Sequence, residues 1–266
     1  MTSLKNIRNS LLCGAAVAVF ALAASSAGAT TISIYDPTGT SEPTLTTYFT
    51  GQGYSVNSLT YAFGSLAGTD LAIFAPPVGL AQVSIDAISA YLNGGGRVIL
   101  NSDHGDILGL QSQGAFNALM PQIGGTMLNF NGNLDTGPHN TTDIAVNSLT
   151  QGVASVNYDF TSYIQGGTTL VTGDAGYSIV NYEKVGAGYL FGIADFDVAS
   201  AANFTGDNPT LYCNFGALSC ASGAGGTGGA GGVPEPASWA LMLVGIGAMG
   251  GALRRRQARQ AIRQAA

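Results

Sequence analysis

Six side chains at turn-like positions of this 266-residue chain are of types that can do chemistry: Asp36, the Asp103-His104-Gly105-Asp106 cluster, and Asp195 with Asp197. Each group follows a run of apolar residues, so each falls where a buried strand would end. Carboxylates and an imidazole converging on one rim could hold a hard cation or a sugar hydroxyl. The plainer reading is that aspartates sit in turns because they bond the local backbone. A nucleophile is harder to find. Ser102 with His139 as its base is the only serine–histidine pairing that suggests itself. The spacing G-x-S-x-G is absent around Ser102, and His139 stands in a polar stretch from Thr136 to Thr142. No catalytic residue and no cofactor are expected, and the identity of any metal is left open.

Both chain ends read as targeting segments rather than parts of a fold. Lys5 and Arg8 precede an apolar run from Leu11 to Ala24, and Ala27-Gly28-Ala29 supplies small residues for cleavage, the layout of an export signal over residues 1–29. Cys13 lies too early in the apolar run to be a lipidation site and would leave with the signal. Cys213 and Cys220 then remain, and in an oxidising compartment an isolated pair is expected to form a disulfide. Its loop is short, so it would staple the final segment and add about 2.5 kcal/mol on the chain-entropy model.

At the other end, Ala221–Gly232 consists entirely of Gly, Ala, Ser and Thr, a composition that behaves as a flexible tether. Residues 233–266 follow with V-P-E-P-A-S-W-A, an uncharged stretch to Leu253, and Arg254, Arg255 and Arg256 backed by Arg259 and Arg263. Residues 237–253 as a helix would be about 26 Å long, a little short of a hydrocarbon core. Such a helix spans with some thinning of the bilayer or snorkelling. The arginines belong on the cytoplasmic side, which puts the preceding chain outside. Pro234, Glu235, Pro236, Trp239 and Ala240 resemble the PEP-CTERM sorting signal in its PEPxxWA variant, which also goes under the name of an ice-binding-protein C-terminal motif without implying ice binding. The resemblance implies an exosortase as partner, a membrane-held precursor, and final placement at the cell surface or outside it.

Charge narrows the partners of the segment between these ends. Residues 30–220 hold fourteen of the fifteen acids but only Arg97 and Lys184 as cations, a formal charge of −12. Nucleic acid is excluded as a partner by that field. The length fits one domain with one core.

The elements that must position the acids alternate. Thr31–Tyr35, Tyr54–Leu59, Leu71–Phe74 and Arg97–Leu100 read as strands, and Leu45–Phe49 opens a short helix. Ser84 is expected to cap a helix carrying Ile85, Ile88, Tyr91 and Leu92, which stops at Gly94-Gly95-Gly96. Strand, helix, strand with short connections is the pattern of a parallel sheet covered by helices. From Gly166 onward the period changes: Thr168–Thr172, Tyr177–Tyr182 and Gly188–Ile193 read as antiparallel strands, with Glu183–Gly188 as a hairpin loop. Asp207–Leu218 is a short helix opened by Pro209. Asn129–Asn147 shows no clear period and is read as loop with room for short strands.

The stretches D-L-A-I-F-A-P-P and I-S-A-Y-L-N-G-G-G-R-V-I-L-N-S-D within Asp70–Asp103, N-S-L-T-Q-G-V at Asn147–Val153 and V-G-A-G-Y-L-F-G-I-A-D at Val185–Asp195 resemble class I glutamine amidotransferase-like domains. That resemblance implies a flavodoxin-like α/β fold: a mostly parallel sheet with helices on both faces. Those enzymes place a nucleophilic cysteine at the turn after the strand matching Arg97–Asn101. Here the turn reads Asn101-Ser102-Asp103-His104-Gly105-Asp106, so the amidotransferase chemistry does not carry over. The expectation is an exported, non-catalytic structural or binding module associated with extracellular polysaccharide or biofilm. An exported hydrolase, or a metal- or carbohydrate-binding protein on the same scaffold, is the alternative.

Overall fold

Four short apolar runs, I-S-I-Y, L-A-I-F, V-I-L-N and L-F-G-I, are buried nearly throughout, as strands covered on both faces must be. The computed structural model describes residues 30–103, 112–130 and 138–220. The signal peptide and tether expected from the sequence, the sorting tail and two of the six rim residues, His104 and Asp106, lie outside the described residues. Among the described residues no helix is long and apolar enough to cross a membrane, and the helix expected over 237–253 is not among them.

In chain order the elements are β1 (Thr31–Tyr35), α1 (Glu42–Gly51), β2 (Ser55–Ser58), β3 (Leu71–Phe74), α2 (Gln82–Asn93), β4 (Arg97–Asn101), α3 (Ser112–Ile123), β5 (Leu128–Phe130), β6 (Pro138–Thr141), β7 (Asp143–Ile144), β8 (Val156–Asp159), β9 (Tyr163–Gln165), β10 (Thr168–Thr172), β11 (Ser178–Val185), β12 (Gly188–Ile193) and α4 (Asn208–Gly216). The main sheet runs β2-β1-β3-β4-β12-β11-β10-β7. Its first five strands are parallel, and β11, β10 and β7 extend it antiparallel. Two small ribbons, β5-β9 and β6-β8, stand beside it. This is a mixed α/β fold of flavodoxin-like kind with an antiparallel extension in its C-terminal part.

Neighbouring residues of β12 show how both faces are filled, because successive side chains of a strand point to opposite sides. Phe191 stacks on Phe215 of α4 at 4.2 Å between ring centroids. Gly192 faces the other way, where an added Cβ would come within 2.9 Å of Ile164 and 3.1 Å of Phe116. An alanine there would have to push the ends of those side chains aside, so β9 and α3 close down on the sheet at this point. Gly188 is placed more tightly still, with room only for glycine: a Cβ would lie 2.4 Å from the Gly96 carbonyl oxygen and 2.5 Å from that of Leu92.

Three details differ from the sequence reading. Ser84 is not a cap, since α2 begins two residues earlier with Ala81 at its N-cap; its buried hydroxyl instead donates to the carbonyls of Tyr61 and Phe63, tying the incoming loop to the helix. The hairpin loop is shorter than Glu183–Gly188, because β11 continues to Val185 and pairs with Gly188. Gly186 turns the chain with φ 57°, a conformation suited to glycine in a two-residue hairpin. Helix α3 has no counterpart in the sequence reading. Gly114 and Pro121 interrupt its propensity, and what holds it is burial of Phe116, Leu119, Met120 and Ile123.

Candidate functional site

Register brings the acids together. Strands β4 and β12 are parallel neighbours with Asn101 opposite Ile193, and the Ser102 amide continues the ladder by donating to the Ile193 carbonyl at 2.7 Å. Asp103 and Asp195 each stand two residues beyond those paired ends, so equal spacing past equal strand ends delivers them to the same spot. Asp103, Asp195 and Asp197 have carboxylate oxygens all within 4.8 Å of one another. Asp103 and Asp195 are fully buried.

The backbone around Asp195 is arranged on its carboxylate. One oxygen accepts from the Asp197 amide at 2.6 Å and the other from the Asp159 amide at 2.7 Å. Burial pushes the Asp195 carboxyl well above the ordinary aspartate range, and the nearby charges of Asp103 and Asp197 push it further. The two amide bonds act against that shift by favouring the charged form. A third partner strand end comes from β8, whose last residue is Asp159. The chain then turns through Phe160 with φ 50°, a left-handed conformation uncommon outside glycine, and the Ser162 amide and hydroxyl both bond the Ala194 carbonyl. The segment 159–162 is thus strapped across the carboxyl end of β12.

Beneath the acids, the Asn101 side-chain amide donates to the Tyr212 hydroxyl at 2.8 Å, while its Oδ1 is buried without a hydrogen-bond partner. Tyr212, fully enclosed, has its phenol pushed up by burial and, less strongly, by Asp195.

Asp36 behaves differently from the group it was read with. It is not a member of the Asp103–Asp195–Asp197 cluster. Its Oδ1 accepts from the Thr38 amide, the Thr38 hydroxyl and the Gly39 amide, and its Oδ2 from the Ser41 and Glu42 amides. These five donors use its acceptor capacity to shape the β1–α1 loop and the start of α1. His139 is engaged with other partners than Ser102: its Nδ1 meets Asp174 Oδ2 at 2.6 Å, and its ring stacks on Tyr158. Ser102 is buried, with its hydroxyl 3.4 Å from that of Ser112.

At the opposite end of the sheet, Cys213 and Cys220 are joined in a disulfide with Cα atoms 6.0 Å apart. Both cations of the domain are there too, Arg97 at 4.8 Å and Lys184 at 5.3 Å from the Tyr189 ring centroid.

Comparison with known proteins bears on two parts of the chain. Residues 232–256 match the PEP-CTERM protein-sorting motif. The motif implies export through a C-terminal membrane anchor and processing by an exosortase. No curated protein matches the chain. Among solved structures, the mmIFT52 N-terminal domain is similar with a TM-score of 0.52 at 12% identity, over 68% of this chain and 93% of that one. A GMP synthase component from Thermoplasma acidophilum is similar with a TM-score of 0.51 at 9% identity, over 71% and 93%. A ThuA-like protein from Bacteroides uniformis aligns with a TM-score of 0.45 at 14% identity, over 70% and 89%. At these identities the first two show a shared α/β fold alone, and in this chain that fold is followed by a sorting motif.

Proposed function

We infer that this is an exported protein, sorted by an exosortase, whose α/β domain serves outside the cytoplasm as a non-catalytic binding module associated with extracellular polysaccharide. The observation that carries the reading is the sorting motif at residues 232–256, set behind a Gly-rich tether in the sequence. A domain delivered in that way acts at a surface. The turn after β4 supports the non-catalytic half: it offers Ser102, enclosed against Ser112, in place of a cysteine, and both cysteines of the described domain are spent in the disulfide.

The parts of the tail should fail differently. With the cognate exosortase present, Glu235→Ala inserts normally but stays full length in the membrane, while neutralising Arg254, Arg255 and Arg256 weakens retention by removing the charge that sets orientation. Fractionation with mass measurement checks both. If wild-type protein also remains full length, the tail is only an anchor and the sorting reading falls.

A second reading, a cation- or hydroxyl-binding site at the carboxyl ends of β4 and β12, is favoured by one observation: three carboxylates meet there beside the buried Asn101 Oδ1 that lacks a hydrogen-bond partner. Ligands of open α/β sheets sit at that end. Calorimetric titration with Ca²⁺ and Zn²⁺ tests the metal form, and no heat with either removes it.

A further inference from the structure

The ribbon β5-β9 has one face committed to the core and one that is not. Asn129 and Ile164, opposite each other in register, are buried. Their neighbours on both strands point outward by the period-two rule: Leu128 opposite Gln165 and Phe130 opposite Tyr163. Leu128 is 41% exposed. The Phe130 and Tyr163 rings lie stacked at 5.5 Å, and Tyr177, 42% exposed, continues the row 4.8 Å from Tyr163. Phe160, 40% exposed, precedes it on the strap over Asp195. The result is a contiguous aromatic strip, bordered by phenol and amide groups.

Its place in the domain is as informative as its composition. Tyr163 follows Ser162, which bonds the carbonyl just beyond β12, and Tyr177 precedes β11, whose first half pairs with the end of β12. The aromatic part of the strip is therefore at the carboxyl end of the parallel strands, and its Leu128–Gln165 end reaches back along the sheet, beside Gly166, which accepts from Asn181. The chain leaves the domain at the other end. Arg97, which begins β4, donates to the Phe215 carbonyl at the end of α4; Gly216 packs beside Leu71, which begins β3; and the Thr30 carbonyl, at the head of β1, accepts from Ser55. Cys220, four residues past α4, leads directly into the tether sequence.

We propose that the outer face of the β5-β9 ribbon, formed by Leu128, Phe130, Tyr163, Gln165 and Tyr177, is a docking surface for an uncharged glycan chain, presented on the side of the domain away from its tether. The inference rests on the polysaccharide reading above and names its contact surface. A sugar ring offers apolar C–H faces and hydroxyl edges, which match aromatic rings bordered by phenol hydroxyls and a carboxamide. Anionic polymers find no counter-charge there, because both cations of the domain sit against Tyr189 at the far end and the domain carries −12 overall. A second copy of the chain is disfavoured by size: stable dimers bury about 800 Å² per partner, whereas an aromatic side chain supplies roughly 150–250 Å² even when wholly covered, and these rings are already partly buried.

The test is retardation of the full-length chain, in detergent, through gels containing neutral glucans, mannans and galactans, with alginate and dextran sulfate alongside. The wild type should be retarded by at least one neutral polymer and by neither anionic one. Tyr163→Ala and Tyr177→Ala should each weaken that retardation roughly tenfold, the size seen when an aromatic anchor of an interface is truncated. Tyr177→Phe should largely keep it, which separates ring stacking from damage to the fold, and unchanged circular dichroism of each variant provides the control. If neutral glycan binds equally to wild type and both alanine variants, the strip is the wrong surface while the polysaccharide reading stands. No retardation by any neutral polymer overturns both. Retardation only by anionic polymers, or loss of a dimer in sedimentation of the variants, overturns the proposal in favour of another occupant.

Discussion

Asp36 and Asp195 look alike in the sequence, each an aspartate just beyond a buried strand, and the fold makes opposite use of them. At the end of β1 the carboxylate is ringed by five donors from the next six residues, so its charge is satisfied locally and builds a loop. At the end of β12 the carboxylate is fully buried, with two amide donors, one from a strand 36 residues earlier, and two other acids within 4.8 Å. The difference lies in who supplies the hydrogen bonds. A loop that folds back on its own aspartate completes a structural cap, whereas a strand end flanked by other strand ends gathers charge that local donors cannot absorb.

The largest effect that would sharpen this contrast is expected at Asp36. Replacing it with Ala leaves five donors to find water or rearrange, and a loss of about 3 kcal/mol follows from the usual worth of charged hydrogen bonds after allowance for partial exposure. Urea denaturation should show it as a lowered midpoint with an unchanged slope. A loss below about 0.5 kcal/mol would break the comparison, because Asp36 would then not be holding the loop.

The next effect is one of pH. Asp195 has a folded-state value raised above the ordinary 3.8, so the folded protein binds that proton more tightly than the unfolded chain does. Its contribution is fully present below the unfolded value and is lost as pH rises from there through the raised folded value. In Asp195→Asn this loss cannot occur, at the expense of setting an amide donor against one of the backbone N–H groups. The variant should therefore gain on the wild type as pH rises from the ordinary aspartate value of 3.8 through the raised folded one, read by denaturation at several pH values. A constant difference across that range would mean that Asp195 does not titrate in it.

The smallest effect is expected at Asp103. Its charge is a lesser contributor to the Asp195 shift than burial is, so Asp103→Asn should flatten the same pH dependence without abolishing it. If the profile is unchanged, the two carboxyls are not coupled across the β4–β12 boundary.

Much of the parallel half was legible because its signals are local. The spans of β1, β3, β4 and β12 follow from short apolar runs bounded by turn residues, and beyond the parallel strands α4 follows from Pro209 at its first turn. The hidden elements were those stabilised from elsewhere. Helix α3 carries Gly114 and Pro121 and is held by its buried face. The ribbon strands β5, β8 and β9 are three or four residues long, too short for a period to show, and partner residues far off in the chain define them. Ser84 was misplaced for a related reason: a serine before an apolar run signals a cap, but here its hydroxyl satisfies carbonyls of a preceding loop that only the folded chain brings near.

By itself the sequence determined the sorting tail, the charge of the exported domain and the alternation that makes a covered parallel sheet, because each depends on residue type and spacing along the chain. Which aspartates meet, and which aromatic residues line up on the outer face of β5-β9, was decided by tertiary structure. Asp103 and Asp195 are 92 positions apart in the sequence, and Phe130, Tyr163 and Tyr177 come from three separate segments. Their proximity is a consequence of strand order and register, fixed by burying the strands' side chains against one another rather than by any pattern that the residues themselves display.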